Sequence, residues 1–123
     1  MCLSETHLAK GQEIYVENYV FFGKNRQSRH RLAPKTHGGV GILVRNDVLD
    51  DFSCVVHDRS IEGVIAIKLH RKRNDYVLVV FACYLPPENS PWGRSPDDIF
   101  AHLTGQMYLL EDVDDIVICG DFN

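Results

Sequence analysis

The chain has 123 residues, of which 45% are hydrophobic and 24% are charged, and it contains 9 glycines and 5 prolines. This composition is typical of one ordinary globular domain and excludes fibrous, collagen-like and intrinsically disordered proteins. The longest apolar stretch, residues 77–85, is much shorter than the roughly 18 residues that a membrane-spanning helix requires, so no transmembrane helix is expected. The net charge of −4 does not by itself indicate a nucleic-acid-binding protein.

The N-terminal segment and the cysteines both indicate a reducing compartment. Glu5 and His7 lie where a secretory signal has its apolar stretch, so the expected location is intracellular, with the nucleus as a compatible compartment. The four cysteines are Cys2, Cys54, Cys83 and Cys119. They are far apart in the sequence and form no C-x-x-C pair, which favours free thiols without disulfide partners and disfavours a zinc site.

The first half of the chain predicts several strands. Residues 2–4 are typical of the end of a strand whose beginning is absent. Residues 19–23 are rich in aromatic and β-branched side chains and predict a second strand, and the polar residues 25–37 predict a long loop after it. Further strands are predicted over residues 39–45, 52–57 and 61–70. The acidic residues 47–51 indicate a chain reversal between two of these strands.

The second half predicts a strand, a helix and another strand. Residues 76–84 are apolar on both faces, which predicts a central strand covered on both sides. Ser95 as N-cap with Pro96 at the first helical position predicts a helix start. The helix has an apolar stripe of Ile99, Leu103, Met107 and Leu110. Residues 116–119 predict a buried strand, and the whole succession predicts a layered α/β fold in a single domain.

Two basic runs are candidates for phosphate binding. The first contains Arg26, Arg29, Arg31 and Lys35, and the second is residues 71–73. Clustered Lys and Arg side chains contact nucleic-acid backbones through their charge. The same clusters also occur as solvated loop surface, and the sequence leaves both interpretations open.

Polar side chains follow three apolar strands at their C-terminal ends. The three places are residues 4–7, 84–89 and 120–123. In layered α/β sheets this edge is where ligands bind, because loops converge there on a rigid sheet. Each residue also has an interpretation without a functional role. Glu5 would then pair with a helix N-terminus, and Tyr84 would be a core aromatic with an exposed tip. Asp121 and Asn123 likewise fit either the cap of a following helix or an Asx-turn.

The chemistry that suits this set is metal-assisted hydrolysis of a phosphate ester. Glu5 offers Mg²⁺ a hard oxygen ligand, and Mg²⁺ needs only one or two carboxylates beside water and substrate oxygens. Asp121 is a candidate to orient or deprotonate the attacking water. Asn123 and Tyr84 are candidates to donate hydrogen bonds to the phosphate. Among the scattered histidines, His37 before two glycines is the one candidate for a functional role.

Four motifs occur in an order and at separations that resemble a known superfamily. They are SETHL at residues 4–8, HGGVGI at residues 37–42, CYLPP at residues 83–87 and ICGDFN at residues 118–123. Together they resemble the endonuclease/exonuclease/phosphatase (DNase I-like) superfamily over the whole chain. The sequences of the SETHL, GGVGILV and GDFN motifs are most similar to those of the apurinic-type endonuclease domain of non-LTR (LINE-like) retrotransposons.

The resemblance implies a four-layer α/β/β/α sandwich and Mg²⁺-dependent hydrolysis of a phosphodiester. The family's metal-binding glutamate matches Glu5, and the tyrosine of its Y-x-P motif matches Tyr84. The aspartate and asparagine of its GDxN motif match Asp121, which would position the water, and Asn123, which would hold the scissile phosphate. In the retroelement branch the partner is target DNA, and the nick leaves a 3′-hydroxyl that primes reverse transcription.

The chain departs from the family pattern at both ends. The family's first strand, which carries an asparagine, and its late Asp-His pair have no counterpart, so residues 1–123 are expected to be a single, incomplete domain of partial α/β/β/α architecture. We therefore expect the chain alone to be inactive. The alternatives are an inactive, truncated retroelement remnant, or a superfamily phosphatase or RNase that acts on another phosphate ester. Oligomeric state is not predicted.

Overall fold

The computed structural model describes residues 1–25, 38–87 and 95–123. Within them the chain forms seven strands and two helices. In chain order these are β1 (Cys2–Ser4), β2 (Tyr19–Lys24), β3 (Val40–Arg45), α1 (Asn46–Asp51), β4 (Phe52–Asp58), β5 (Val64–Arg71), β6 (Val77–Tyr84), α2 (Pro96–Tyr108) and β7 (Asp115–Asp121). The first basic run, with Arg26, Arg29, Arg31 and Lys35, and the candidate His37 lie outside the described residues.

The strands form two sheets. The three-stranded sheet has the order β1-β3-β2 and is antiparallel, with Ser4 and Lys24 both opposite Val40. The four-stranded sheet has the order β4-β5-β6-β7, in which only β6 and β7 run parallel. Because α2 lies between β6 and β7 in the chain, it provides the crossover that parallel neighbours need. The prediction of an α/β fold is confirmed.

The core consists of two layers on either side of the four-stranded sheet. Alternate residues of β6 belong to different layers, because successive side chains of a strand point to opposite faces. Val79 and Phe81 pack in the layer beneath α2, whereas Leu78 and Val80 pack towards the three-stranded sheet. The predicted central strand, covered on both sides, is therefore confirmed. The sheets and α2 make up three layers of the predicted four-layer sandwich.

Helix α2 begins and packs as its sequence predicts. The Ser95 hydroxyl accepts a hydrogen bond from the backbone N–H of Asp98, and Pro96 occupies the first turn. Ile99 and Leu103 are 1% and 3% exposed and pack on the four-stranded sheet. Burying each of these side chains contributes about 1.5–3 kcal/mol. No helix in the described part of the chain is long and apolar enough to cross a membrane.

Two elements differ from their predictions. The expected reversal at residues 47–51 is the short helix α1, which connects the end of β3 to the start of β4 and so joins the two sheets. The prediction that residues 116–119 are buried is wrong. Ile116 and Val117 are 40% and 45% exposed, because β7 lies at the edge of its sheet with β6 as its neighbour.

A hydrogen bond between Asp58 and His102 connects α2 to the end of β4. Asp58, which is 7% exposed, lies 2.5 Å from Nε2 of His102 and accepts hydrogen bonds from the hydroxyl and backbone N–H of Ser60. Burial raises the pKa of Asp58, but the hydrogen bonds from His102 and Ser60 outweigh it. The pKa of Asp58 therefore lies below its ordinary value of 3.8.

This pair predicts a pH-dependent contribution to stability. A carboxyl whose pKa is lowered by folding stabilises the protein above its unfolded pKa, and the contribution is lost as the pH falls through the folded pKa. We expect Asp58→Asn to lower the free energy of unfolding by about 1–3 kcal/mol at pH 7. The difference from the unsubstituted chain should shrink below about pH 3.8, as measured by urea unfolding at pH 7 and pH 3. A difference that stays equal at both pH values would contradict this role of Asp58.

Candidate active site

The ends of β1 and β6 bring the first two predicted site residues into contact. The phenolic O–H of Tyr84, at the end of β6, donates a 2.6 Å hydrogen bond to Oε1 of Glu5, which directly follows β1. These residues are 79 positions apart in the chain and belong to different sheets. The packing of the two sheets therefore sets the distance between the carboxylate and the phenol.

The end of β7 adds the other two predicted residues at the same edge. Asp121 is the parallel partner of Tyr84, and its carbonyl accepts a hydrogen bond from the backbone N–H of Leu85. Nδ2 of Asn123 in turn donates a 2.6 Å hydrogen bond to the carbonyl of Leu85. The structure thus brings together Glu5, Tyr84, Asp121 and Asn123, as the sequence predicts.

Asp121 and Asn123 also form the Asx-turn that was the alternative interpretation. The backbone N–H of Asn123 donates a 3.0 Å hydrogen bond to Oδ1 of Asp121. This bond fixes the orientation of an exposed carboxylate and leaves Oδ2 of Asp121 without a hydrogen bond to a described residue. The Asn123 amide has a second N–H besides the one that contacts Leu85, and this N–H can donate to a ligand. The turn and a catalytic role are therefore compatible.

The backbone at this edge adopts an unusual number of left-handed conformations. Glu5, His7 and Asn123 have φ angles of 50°, 53° and 47°, which residues with a Cβ rarely adopt. Gly39 has a φ of 94°, and a Cβ there would lie 2.4 Å from Oγ1 of Thr6. Backbone strain of this kind clusters at functional sites, where the surrounding structure holds it in place.

Two thiols lie between the sheets just behind the site. Sγ of Cys2 on β1 is 2.6 Å from Sγ of Cys119 on β7, and the four cysteines are free thiols. Burial, together with the hydrogen bond and charge of Cys119, raises the pKa of Cys2 to about 12. Burial likewise raises the pKa of Cys83 to about 12. Because the thiolate is the reactive form, these groups act as packing side chains at neutral pH.

The oxygen ligands at the edge fit a Mg²⁺ ion that is bound partly by the protein and partly by water and a substrate. Tyr84 donates its hydrogen bond to Oε1 of Glu5, and Oε2 makes no hydrogen bond to a described residue. No group of three or more His, Cys, Asp and Glu side chains within residues 1–25, 38–87 and 95–123 can enclose a metal ion. Mg²⁺ does not need such a cage, since it keeps several waters and binds through one or two carboxylates and phosphate oxygens.

The second basic run has structural partners at the opposite end of the sheets. Arg71 stacks on the rings of Phe52 and Tyr76, with its guanidinium carbon 5.1 Å and 5.3 Å from the ring centroids. Nζ of Lys72 donates to the carbonyls of Leu49 and Asp50 at the end of α1. These contacts favour the surface interpretation for residues 71–73 over phosphate binding.

A cleft at the active-site end contains cations that the sequence analysis missed. Lys10, Lys24 and Arg59 line it, and they belong to three segments that are distant in the sequence. They form no run or motif, so no signal in the sequence groups them. The cleft lies beside the ends of β2 and β4.

The two packed sheets and α2 form a partial α/β fold of the DNase I-like type. The family model described as Endonuclease/Exonuclease/phosphatase family matches residues 1–123, so the chain belongs to this family. Its members are hydrolases that act on phosphate esters and generally use divalent metal ions. A comparison with curated proteins found no match.

Proposed function

We propose that the chain belongs to the catalytic domain of a Mg²⁺-dependent endonuclease that nicks target DNA for a non-LTR retrotransposon. The observation that carries the proposal is the convergence of Glu5, Tyr84 and Asp121 at one edge of two packed sheets. Family membership supports hydrolysis of a phosphate ester. The sequences of the SETHL and GDFN motifs support the assignment to the retroelement branch of the family.

Each side chain has a distinct task in this proposal. Glu5 holds Mg²⁺, which would polarise the phosphate when bound. The Asp121 carboxylate, oriented by the Asx-turn, accepts a proton from the attacking water and aligns it with the phosphorus. Asn123 donates a hydrogen bond to a phosphate oxygen, and Tyr84 turns its single O–H from Glu5 to another phosphate oxygen, as negative charge develops on them. The bond between phosphorus and the 3′-oxygen breaks, the 3′-oxygen takes a proton from solvent and departs as a hydroxyl, and the phosphate stays on the 5′-oxygen of the downstream fragment. The proton that Asp121 accepts from the water returns to solvent.

The test is conversion of supercoiled plasmid to nicked circles by the full-length protein. We expect nicking with Mg²⁺ and none with a chelator. Glu5→Gln should raise the Mg²⁺ concentration needed for half-maximal nicking at least about tenfold, since it removes a charged ligand. Glu17→Gln, a change of an exposed glutamate away from the site, is the matched control and should behave as the unsubstituted protein.

The product distinguishes the proposed reaction from other phosphate chemistry. A 3′-hydroxyl at the nick allows a DNA polymerase to extend it without prior treatment by a phosphatase. Nicks that cannot be extended, or nicking that persists in chelator, would contradict the proposal. Hydrolysis of a phosphomonoester in preference to plasmid DNA would favour the phosphatase alternative instead.

A further inference from the structure

The cleft between β2 and β4 is a second concave surface at the active-site end. It has a volume of about 520 Å³ and is lined by the turn at residues 10–13, by residues 21–25, and by Val56 and Arg59. Three of its side chains are cations, Lys10, Lys24 and Arg59, against the single carboxylate of Glu13. The cleft is therefore positive in a chain whose net charge is −4.

The cations of the cleft are available to a ligand. Lys10 and Arg59 are exposed and Lys24 is half-buried. None of the three forms an ion pair with a carboxylate in the described part of the chain. Elsewhere the structure does pair arginines: Arg45 bonds to Asp47, and Arg73 lies 3.7 Å from Asp51.

The turn that carries Lys10 is fixed in place beside Lys24. Nδ2 of Asn25, the residue after β2, donates hydrogen bonds of 2.9 Å and 2.6 Å to the carbonyls of Ala9 and Gln12. One side chain thus bridges both ends of the turn. A cationic site whose backbone is held before binding loses less conformational entropy when a ligand arrives.

The strand register places the cleft and the candidate active site at the same end of the sandwich. Lys24 and Ser4 are both opposite Val40, so the ends of β2 and β1 flank one central strand. In the other sheet, β5 separates the end of β4 from the end of β6. Neighbouring strands are about 4.8 Å apart, so two spacings separate the cleft from the active site by about 10 Å.

We propose that Lys10, Lys24 and Arg59 form a subsite for the phosphodiester backbone of DNA, away from the bond that is cut. This inference rests on the proposed function. Because a DNA strand advances about 3.4 Å per nucleotide along the helix axis, about 10 Å along that axis corresponds to about three nucleotides. A DNA strand therefore occupies both the cleft and the edge with Glu5 and Tyr84, whereas a small phosphate ester occupies only one of them.

The subsite is tested by removing its charge in the full-length protein. In a triple variant, Lys10→Gln, Lys24→Gln and Arg59→Gln, we expect weaker binding to duplex DNA of any sequence. The plot of log K against log salt should be shallower by about 2–3, since each lost phosphate contact removes about 0.9 from the slope. Mg²⁺-dependent cleavage of bis-p-nitrophenyl phosphate should not change, because this small diester reaches only the active site.

A control variant with three substitutions at the opposite end of the sheets distinguishes loss of the cleft's cations from a change in the protein's overall charge. Arg45→Gln, Arg71→Gln and Arg73→Gln remove the same three charges, and this variant should keep the unsubstituted slope. Equal loss of slope in both triples, or an unchanged slope in the cleft triple, would overturn the subsite while leaving nicking intact. If the unsubstituted protein neither binds nor nicks DNA, the proposed function itself fails, and the subsite with it.

Discussion

Asp121→Asn is expected to reduce plasmid nicking by about a hundredfold or more while the protein stays folded. The carboxylate at the end of β7 is exposed and lies beside Tyr84 in the sheet register. A general base or water-orienting group of this kind contributes typically 10²–10⁴-fold to a rate. Asparagine keeps the Oδ1 atom that accepts the hydrogen bond from the Asn123 backbone, so the Asx-turn persists and only the charge and basicity are lost. The measurement is the initial nicking rate at saturating Mg²⁺.

The same strand provides the control for this substitution. Asp115 is the first residue of β7, at the opposite end from the site, and its Oδ2 accepts a 2.7 Å hydrogen bond from the phenol of Tyr76. Asp115→Asn removes one carboxylate from the same strand, so it matches the change in net charge. It should nick at the unsubstituted rate. An active Asp121→Asn variant would show that Asp121 has only its role in the turn.

The fold was largely predictable because its elements have strong local signals. The apolar run of β6 and the cap at Ser95 indicate a covered strand and a helix start, and both are confirmed. The apolar pattern of β7 does not by itself distinguish a buried strand from an exposed one, since an apolar strand has the same pattern in the centre and at the edge of a sheet. The helix α1 was missed because a six-residue acidic segment has too few apolar positions to show a helical period.

The site was predictable only in part, because local sequence patterns indicate strand ends but not how the two sheets face each other. Glu5, Tyr84, Asp121 and Asn123 each lie at or just after the end of a strand, and strand ends meet at sheet edges whatever the details of packing. The pairing of Glu5 with Tyr84 depends on how two sheets face each other, which no local pattern encodes. Their catalytic roles remain predictions. The roles of Arg26, Arg29, Arg31 and Lys35 also remain predictions, because these residues lie outside the described part of the chain.

The cleft and the hydrogen bond between Asp58 and His102 show which features cannot be predicted from a sequence. Lys10, Lys24 and Arg59 come together because the ends of β2 and β4 are neighbours across the two sheets. Asp58 and His102 are 44 positions apart and meet because α2 lies on the four-stranded sheet. In both cases the residues are individually ordinary, and only the tertiary arrangement gives them a shared environment. Contacts of this type have to be observed in the structure.

Gly120→Ala is expected to destabilise the protein strongly. Gly120 has a φ of 146°, and a Cβ there would lie 1.8 Å from the carbonyl oxygen of Cys83 on β6. That oxygen is part of the neighbouring backbone, so β7 would have to separate from β6 beside Asp121. We expect a loss of about 3 kcal/mol or more in the free energy of unfolding, measured by urea denaturation.

Gly105→Ala is the matched control for this substitution, and it should act in the opposite direction. Gly105 lies in α2, where an added Cβ meets nothing within 4 Å. An alanine inside a helix is more stable than a glycine by about 0.5–1 kcal/mol, because it restricts the unfolded chain. Equal urea midpoints for the two variants would show that the contact between Gly120 and Cys83 does not hold the strands together. Opposite shifts would show that β7 approaches β6 too closely at Gly120 to admit a side chain.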